Sequence, residues 1–152
     1  MTTDFNKQMN NESRAEQGLN SASMQECATQ SNRLITSELQ KTLTDYPLYS
    51  QDGKQKDALC IAMFYLGNIR WYIMEGQQEG SDFSLYGIVA GLHETEYGYL
   101  SANEMAAITY DASKYGLGTL RIEQNKDFIP CELGNIKDAE LQAFLSHLYD
   151  NK

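Results

Sequence analysis

The sequence predicts an α+β fold: one domain with an antiparallel sheet of about four strands and helices mainly on one face. Three observations predict it. β-prone runs gather in the middle of the chain and follow one another through short turns, which favours antiparallel pairing over crossover connections. Helical patterns stand before that block, after it and at the end of the chain. The 152 residues, 41% hydrophobic and 22% charged, suit a single core.

Residues 1–32 read apart from the rest. Ser, Thr, Asn and Gln dominate, and Phe5, Met9, Leu19 and Met24 stand singly. Such a segment buries too little apolar area to offset an ordering entropy of about 1–2 kcal/mol per residue. Two readings stay open: a mobile polar tail, or one short helix around Glu12–Cys27 that docks on the body or on a partner. The globular domain is expected over residues 33–152.

Ser37 or Thr36 can cap a first helix carrying Leu39 and Leu43, which Asp45-Tyr-Pro47 ends because the residue before proline avoids helical geometry. Ser50–Lys54 is turn chemistry. Asp57–Leu66, apolar almost throughout, reads as a central strand, and Gly67-Asn68 turns it into a second, Ile69–Glu75. Gln77–Asp82 reads as a loop and Phe83–Leu92 as a third strand, whose two glycines signal a bulge or a close backbone approach. Ser101-Ala-Asn-Glu104 is a capping box opening a helix to about Ala112. Tyr115–Thr119 breaks the pattern, Leu120–Glu123 reads as a fourth strand with Arg121 and Glu123 on one side, and Asp127–Pro130 is extended. Asn135 or Asp138 opens the last helix, with Leu141, Phe144, Leu145 and Leu148 on one face.

The formal net charge is −9, from 12 Lys+Arg against 21 Asp+Glu. A chain this acidic does not suit direct binding to nucleic-acid phosphates or to an anionic membrane. The charge is also uneven. Trp71–Ser113 has no Lys or Arg, yet it holds Glu75, Glu79, Asp82, Glu94, Glu96, Glu104 and Asp111, interleaved with tyrosines at 72, 86, 97, 99 and 110. One reading is a solubilising surface. The sharper reading is an acidic, Tyr-bearing face that imitates a nucleic-acid backbone and attracts a basic groove over long range. Its partner-binding residues would be Glu75, Glu79, Asp82, Glu94, Glu96, Tyr97, Tyr99, Glu104 and Asp111.

Cys27, Cys60 and Cys131 form no CxxC pair, and their odd number leaves a free thiol, as suits a reducing compartment. Cys60 and Cys131 sit among apolar residues and read as small buried hydrophobes. The chain opens without a secretory pattern and has no run of ~18 apolar residues, so a soluble protein of the host bacterial cytoplasm is expected. His93-Glu-Thr-Glu96 brings a histidine near two carboxylates, but not as HExxH, and His147 sits among apolar residues of the last helix. No metal or cofactor is expected. Gly116-Leu-Gly118 lacks the third glycine and the lysine of a phosphate loop and reads as a turn. Trp71 and Tyr72 read as core and cross-strand packing.

Read in order, several fragments resemble a small bacterial family of unknown function carried on plasmids, phages and other mobile elements. They are Leu34–Leu39, Pro47-Leu-Tyr49, Trp71–Glu75, and Phe83 with Tyr86–Gly91. Tyr97-Gly-Tyr-Leu-Ser101 with Glu104 is similar to that family's "GYFSLxEL"-like segment. Gly116-Leu, Arg121-Ile-Glu123 and Phe128-Ile-Pro130 resemble its ending. The likeness runs from about residue 34 to 133 and leaves out the tail and the final helix; Thr109–Tyr115 departs from it. It carries no catalytic residues. It implies a mobile-element setting, where genes against host defence are common neighbours. The resulting expectation is a counter-defence inhibitor, of anti-CRISPR or anti-restriction type, acting on the basic surface of a nucleic-acid-handling enzyme. The alternatives are a non-catalytic adaptor domain of a plasmid or phage and an enzyme with a site near His93.

Overall fold

The computed structural model describes residues 32–150. The expectations for the N-terminal tail, including the helix around Glu12–Cys27, lie outside the described residues. A compact unit begins at Leu34.

The fold is α+β. Its elements are α1 (Ser37–Leu43), β1 (Leu59–Cys60), β2 (Ala62–Leu66), β3 (Ile69–Glu79), β4 (Asp82–Ala90), β5 (Glu96–Ser101), α2 (Ala102–Ala107), β6 (Thr109–Asp111), β7 (Thr119–Arg121), β8 (Glu123–Gln124), β9 (Cys131–Glu132) and α3 (Ala139–Tyr149). The main sheet has five strands rather than about four, in the order β5-β4-β3-β2-β8, every neighbour antiparallel. Among the described residues two small ribbons, β1 with β9 and β6 with β7, accompany it.

Alternation along β3 sorts the core into two layers. Trp71 and Ile73 pack with Leu39, Leu43, Leu85, Ala102 and Met105, under α1 and α2. Tyr72 and Met74 pack with Ile88, Leu133, Leu141 and Leu145, under α3. Trp71 and Tyr72 are buried, as their strand position predicts. Full burial of a side chain such as Leu141 or Ile88 stabilises by about 1.5–3 kcal/mol, so both layers hold the sheet.

Helix ends follow the sequence closely. Thr36 caps α1, its hydroxyl accepting from the Leu39 amide at 3.2 Å. Ser101 caps α2 through the Glu104 amide at 3.1 Å. Asp138 caps α3 through the amides of Glu140 and Leu141, at 3.0 and 3.2 Å. Asp138 also takes both Nε and Nη2 of Arg70 and the hydroxyl of Tyr72, which fastens α3 to the sheet. Arg121 and Glu123 pair with each other at 3.0 Å on the surface.

Four expectations need correction. The strand expected over 57–66 is broken: Gln55–Asp57 is a 3₁₀ turn, and Ile61 separates β1 from β2. The loop expected over 77–82 is strand almost to its tip, with Glu79 paired to Asp82 across Gly80-Ser81. Gly80, at φ +64°, supplies the left-handed residue that a two-residue hairpin turn needs. The helix after Ser101 stops at Ala107, where Ile108 turns extended and β6 begins. The strand expected over 120–123 divides, Thr119–Arg121 pairing with β6 and Glu123–Gln124 with β2.

Gly87 explains the glycine signal in β4. A Cβ there would lie 2.0 Å from the Tyr72 carbonyl oxygen, so only glycine lets β3 and β4 approach. The β-bulge is on the facing strand: Ile73 pairs Gly87 and Glu75 pairs Tyr86, leaving Met74 as the extra residue.

Candidate functional site

The site residues named from the sequence divide into three groups. Those on or beside β5 come together along one margin of the sheet. Glu94 is exposed in the turn before β5, and Glu96 is exposed at its start, opposite Val89. Tyr97 and Tyr99 follow on the α3 side. At the other end Ser101 leads into α2, with Glu104 exposed in the first helical turn and Glu79 exposed at the β3–β4 turn. The six residues of β5 span about 20 Å at the usual strand rise. Carboxylates therefore stand at both ends of the strand with tyrosines between them.

Asp82 belongs to the same end, but its carboxylate is engaged. It accepts from the Ser101 hydroxyl, the Asn103 amide at 3.0 Å and the Phe83 amide at 2.6 Å. Burial pushes its pKa up, yet these three bonds outweigh that and hold it below the ordinary 3.8. Asp82 positions the start of α2.

Glu75 is the clear correction. The acidic, partner-binding face requires it at the surface, but it is only 2% exposed. The bulge at Met74 turns it inward, where Oε1 accepts the Tyr49 amide and Oε2 the Gln51 amide, each at 2.8 Å. Gln51, also buried, bonds the Leu59 and Met74 carbonyls and the Leu59 amide. Glu75 therefore holds the 47–51 turn against β3 and offers a partner no surface.

Asp111 is exposed, but it lies on the β6–β7 ribbon rather than on β5. The Ser113 hydroxyl and amide hold its carboxyl below 3.8.

The tyrosines form a continuous aromatic run. Tyr97 stacks on Tyr86 at 5.7 Å and meets Phe144 at 5.6 Å. Tyr99 tilts over Tyr86 at 4.7 Å, and Tyr49 meets Tyr99 edge-on at 6.4 Å. The Tyr97 and Tyr149 hydroxyls hydrogen-bond at 2.8 Å, which with burial pushes the Tyr97 pKa well up. Hydrogen bonding with Tyr49 pushes Tyr99 up to about 12. Both stay protonated and neutral near pH 7, so the run presents hydroxyls and ring faces between the carboxylates.

Tyr49 and Tyr86 were missed as site residues. Tyr86 faces Tyr99 across the β4–β5 register, a pairing that only a correctly placed β5 reveals. Tyr49 is 62% exposed at φ +75°. A bulky residue rarely adopts that conformation, and such strain concentrates at functional positions. The glutamate–amide bond beside it holds the turn in place.

His93 is exposed in the turn after β4, and His147 is exposed on α3. Among the described residues no group of three His, Cys, Asp or Glu side chains is placed to hold a metal ion. Cys60 is buried and Cys131 half-buried; burial raises the Cys60 thiol well above its ordinary value. Among the described residues no helix is long and apolar enough to cross a membrane.

Fold and site define an antiparallel α+β domain with an open sheet margin that is acidic at both ends and tyrosine-lined between. No protein-family model, curated protein or solved structure matches the chain.

Proposed function

We propose that the protein is a counter-defence inhibitor of a mobile element, acting as an acidic mimic of a nucleic-acid backbone on a basic, DNA-handling defence enzyme of the host cytoplasm. The observation that carries the reading is the β5 margin. Glu94, Glu96, Glu79 and Glu104 are exposed around it, tyrosines lie between, and Trp71–Ser113 supplies no Lys or Arg to offset them. A groove built for phosphates presents spaced cations, and spaced carboxylates attract the same cations. Exposed tyrosine rings add faces on which arginine and lysine can rest. The resemblance to a mobile-element family supports the setting.

The experiment adds the purified full chain to DNA-cleavage reactions of restriction and CRISPR nucleases at low salt. Inhibition of at least one nuclease is expected, weakening steeply as salt rises. The E94K/E96K and E79K/E104K variants, all four positions exposed, should each raise the half-inhibitory concentration by about tenfold or more. Inhibition indifferent to both variants, or no inhibition of any nuclease tested, would overturn the reading.

An adaptor role is the second reading, and the β6–β7 ribbon favours it. Ile108, Tyr110, Tyr115 and Leu117 are all exposed there, an apolar patch of a kind that marks protein contact. Removing that patch with I108S/L117S should leave nuclease inhibition intact on the first reading and abolish partner binding on the second.

A further inference from the structure

We infer that β5 takes up an extended basic segment of the partner protein as a sixth strand of the sheet. This rests on the proposed docking of a basic partner at the β5 margin and specifies how the contact is made.

Strand β5 is an edge: its one sheet neighbour among the described residues is β4. Its outward N–H and C=O groups are a template for another strand. Folded proteins guard such edges with lysines, prolines, bulges or very short strands. The opposite edge, β8, is guarded by length, being two residues long. β5 is six residues long, its register with β4 runs without a bulge, and Tyr97-Gly-Tyr-Leu100 carries no charge. A Cβ at Gly98 would meet nothing within 4 Å, so the space above mid-strand is open.

Charge selects the occupant. Antiparallel self-pairing centred between Gly98 and Tyr99 would set the Glu94–Glu96 end of each copy against the Glu104 end of the other. Like charges placed opposite one another are destabilising, which disfavours a second copy. A segment with cations at both ends and apolar or β-branched residues between meets both acidic ends and the tyrosines. Main-chain bonds would supply affinity and the terminal charges orientation, as in other strand additions.

The probe is the synthetic peptide Lys-Arg-Val-Thr-Val-Thr-Arg-Lys, titrated into the full chain while amide exchange of residues 96–101 is followed. One control is the same peptide N-methylated at both valines and both threonines, which removes the central donors from either edge; another replaces its cations with Glu. Slowed exchange in β5 by about tenfold or more is expected, with affinity falling about tenfold between 50 and 300 mM salt and in E94K/E96K. The N-methylated and acidic peptides should leave exchange unchanged. Unchanged β5 exchange at saturating peptide would overturn the inference, as would an N-methylated peptide that binds equally well. Salt-sensitive binding of the N-methylated peptide would leave the acidic docking site standing while strand addition fell. Slowing of β5 exchange that grows with protein concentration and needs no peptide would assign the edge to a second copy and overturn the basic occupant.

Discussion

The carboxylate of Glu75 accepts one backbone amide on each oxygen while nearly sealed from solvent, so its charge serves the 47–51 turn. Removing it orphans two amides and opens space beneath the turn. Glu75→Ala should cost about 2–4 kcal/mol, read by urea unfolding, with more than one buried partner left unsatisfied. The same variant, where folded, should keep its affinity for a basic partner, which separates it from Glu94 and Glu96. Gly87 is the second decisive residue. Gly87→Ala drives a methyl into the Tyr72 carbonyl and should destabilise by about 3 kcal/mol, because backbone rather than a movable side chain must give way. An unfolding midpoint unchanged by this substitution would contradict the β3–β4 register.

At the scale of elements, one acidic residue ties the start of α3 to the sheet. Asp138 caps the helix and receives Arg70 and Tyr72, with its own side chain 8% exposed and that of Arg70 15%. Burial pushes its pKa up, but the bonds from Tyr72, Arg70 and the Leu141 amide prevail and hold it below 3.8. A carboxyl lowered in the folded state contributes stability that is fully present above its unfolded pKa and is lost as pH falls through its folded one. The Asp138 contribution should therefore be intact at neutral pH and disappear below about pH 3.8. Asp138→Asn should lower stability at pH 7 and flatten the acid limb of the stability curve; an unchanged limb would show that another group sets it. Asp138→Ala should cost about 2–3 kcal/mol, since it removes the α3 cap and the bidentate partner of Arg70, whose guanidinium keeps the Glu140 carboxylate at 2.8 Å.

Element identity was legible wherever local chemistry decides it. The caps at Thr36, Ser101 and Asp138, the Gly67-Asn68 turn and the strand Ala62–Leu66 that runs into it all stand in the sequence. What was illegible depends on pairing. Gln77–Glu79 is polar and resembles a loop, yet β4 supplies the partner that makes it strand. Tyr97-Gly-Tyr-Leu100 is short, contains glycine and gave no expected strand, so the edge that organises the site was not foreseen. The acidic site was partly legible: composition marked Glu79, Glu94, Glu96, Tyr97, Tyr99 and Glu104, which do gather about β5. It also admitted Glu75 and Asp111, because a charge count carries no information about which way a bulged strand turns a side chain or which ribbon carries it.

For the whole molecule, the net charge of −9 matters less than its placement. A sheet buried on both faces leaves its edges as the sites where backbone can still bond, and one of them coincides with the Lys/Arg-free stretch. Inhibition should thus be sensitive to reversal of charge at either end of β5 and insensitive to removal of Asp111, which stands on a different ribbon. The most direct test of mimicry is competition. The half-inhibitory concentration of the full chain against a sensitive nuclease is measured at increasing concentrations of a DNA duplex carrying the recognition sequence. It is expected to rise in proportion to the duplex, as it must if protein and DNA compete for one basic groove. A value independent of DNA, with protein and duplex bound to the nuclease together, would contradict it.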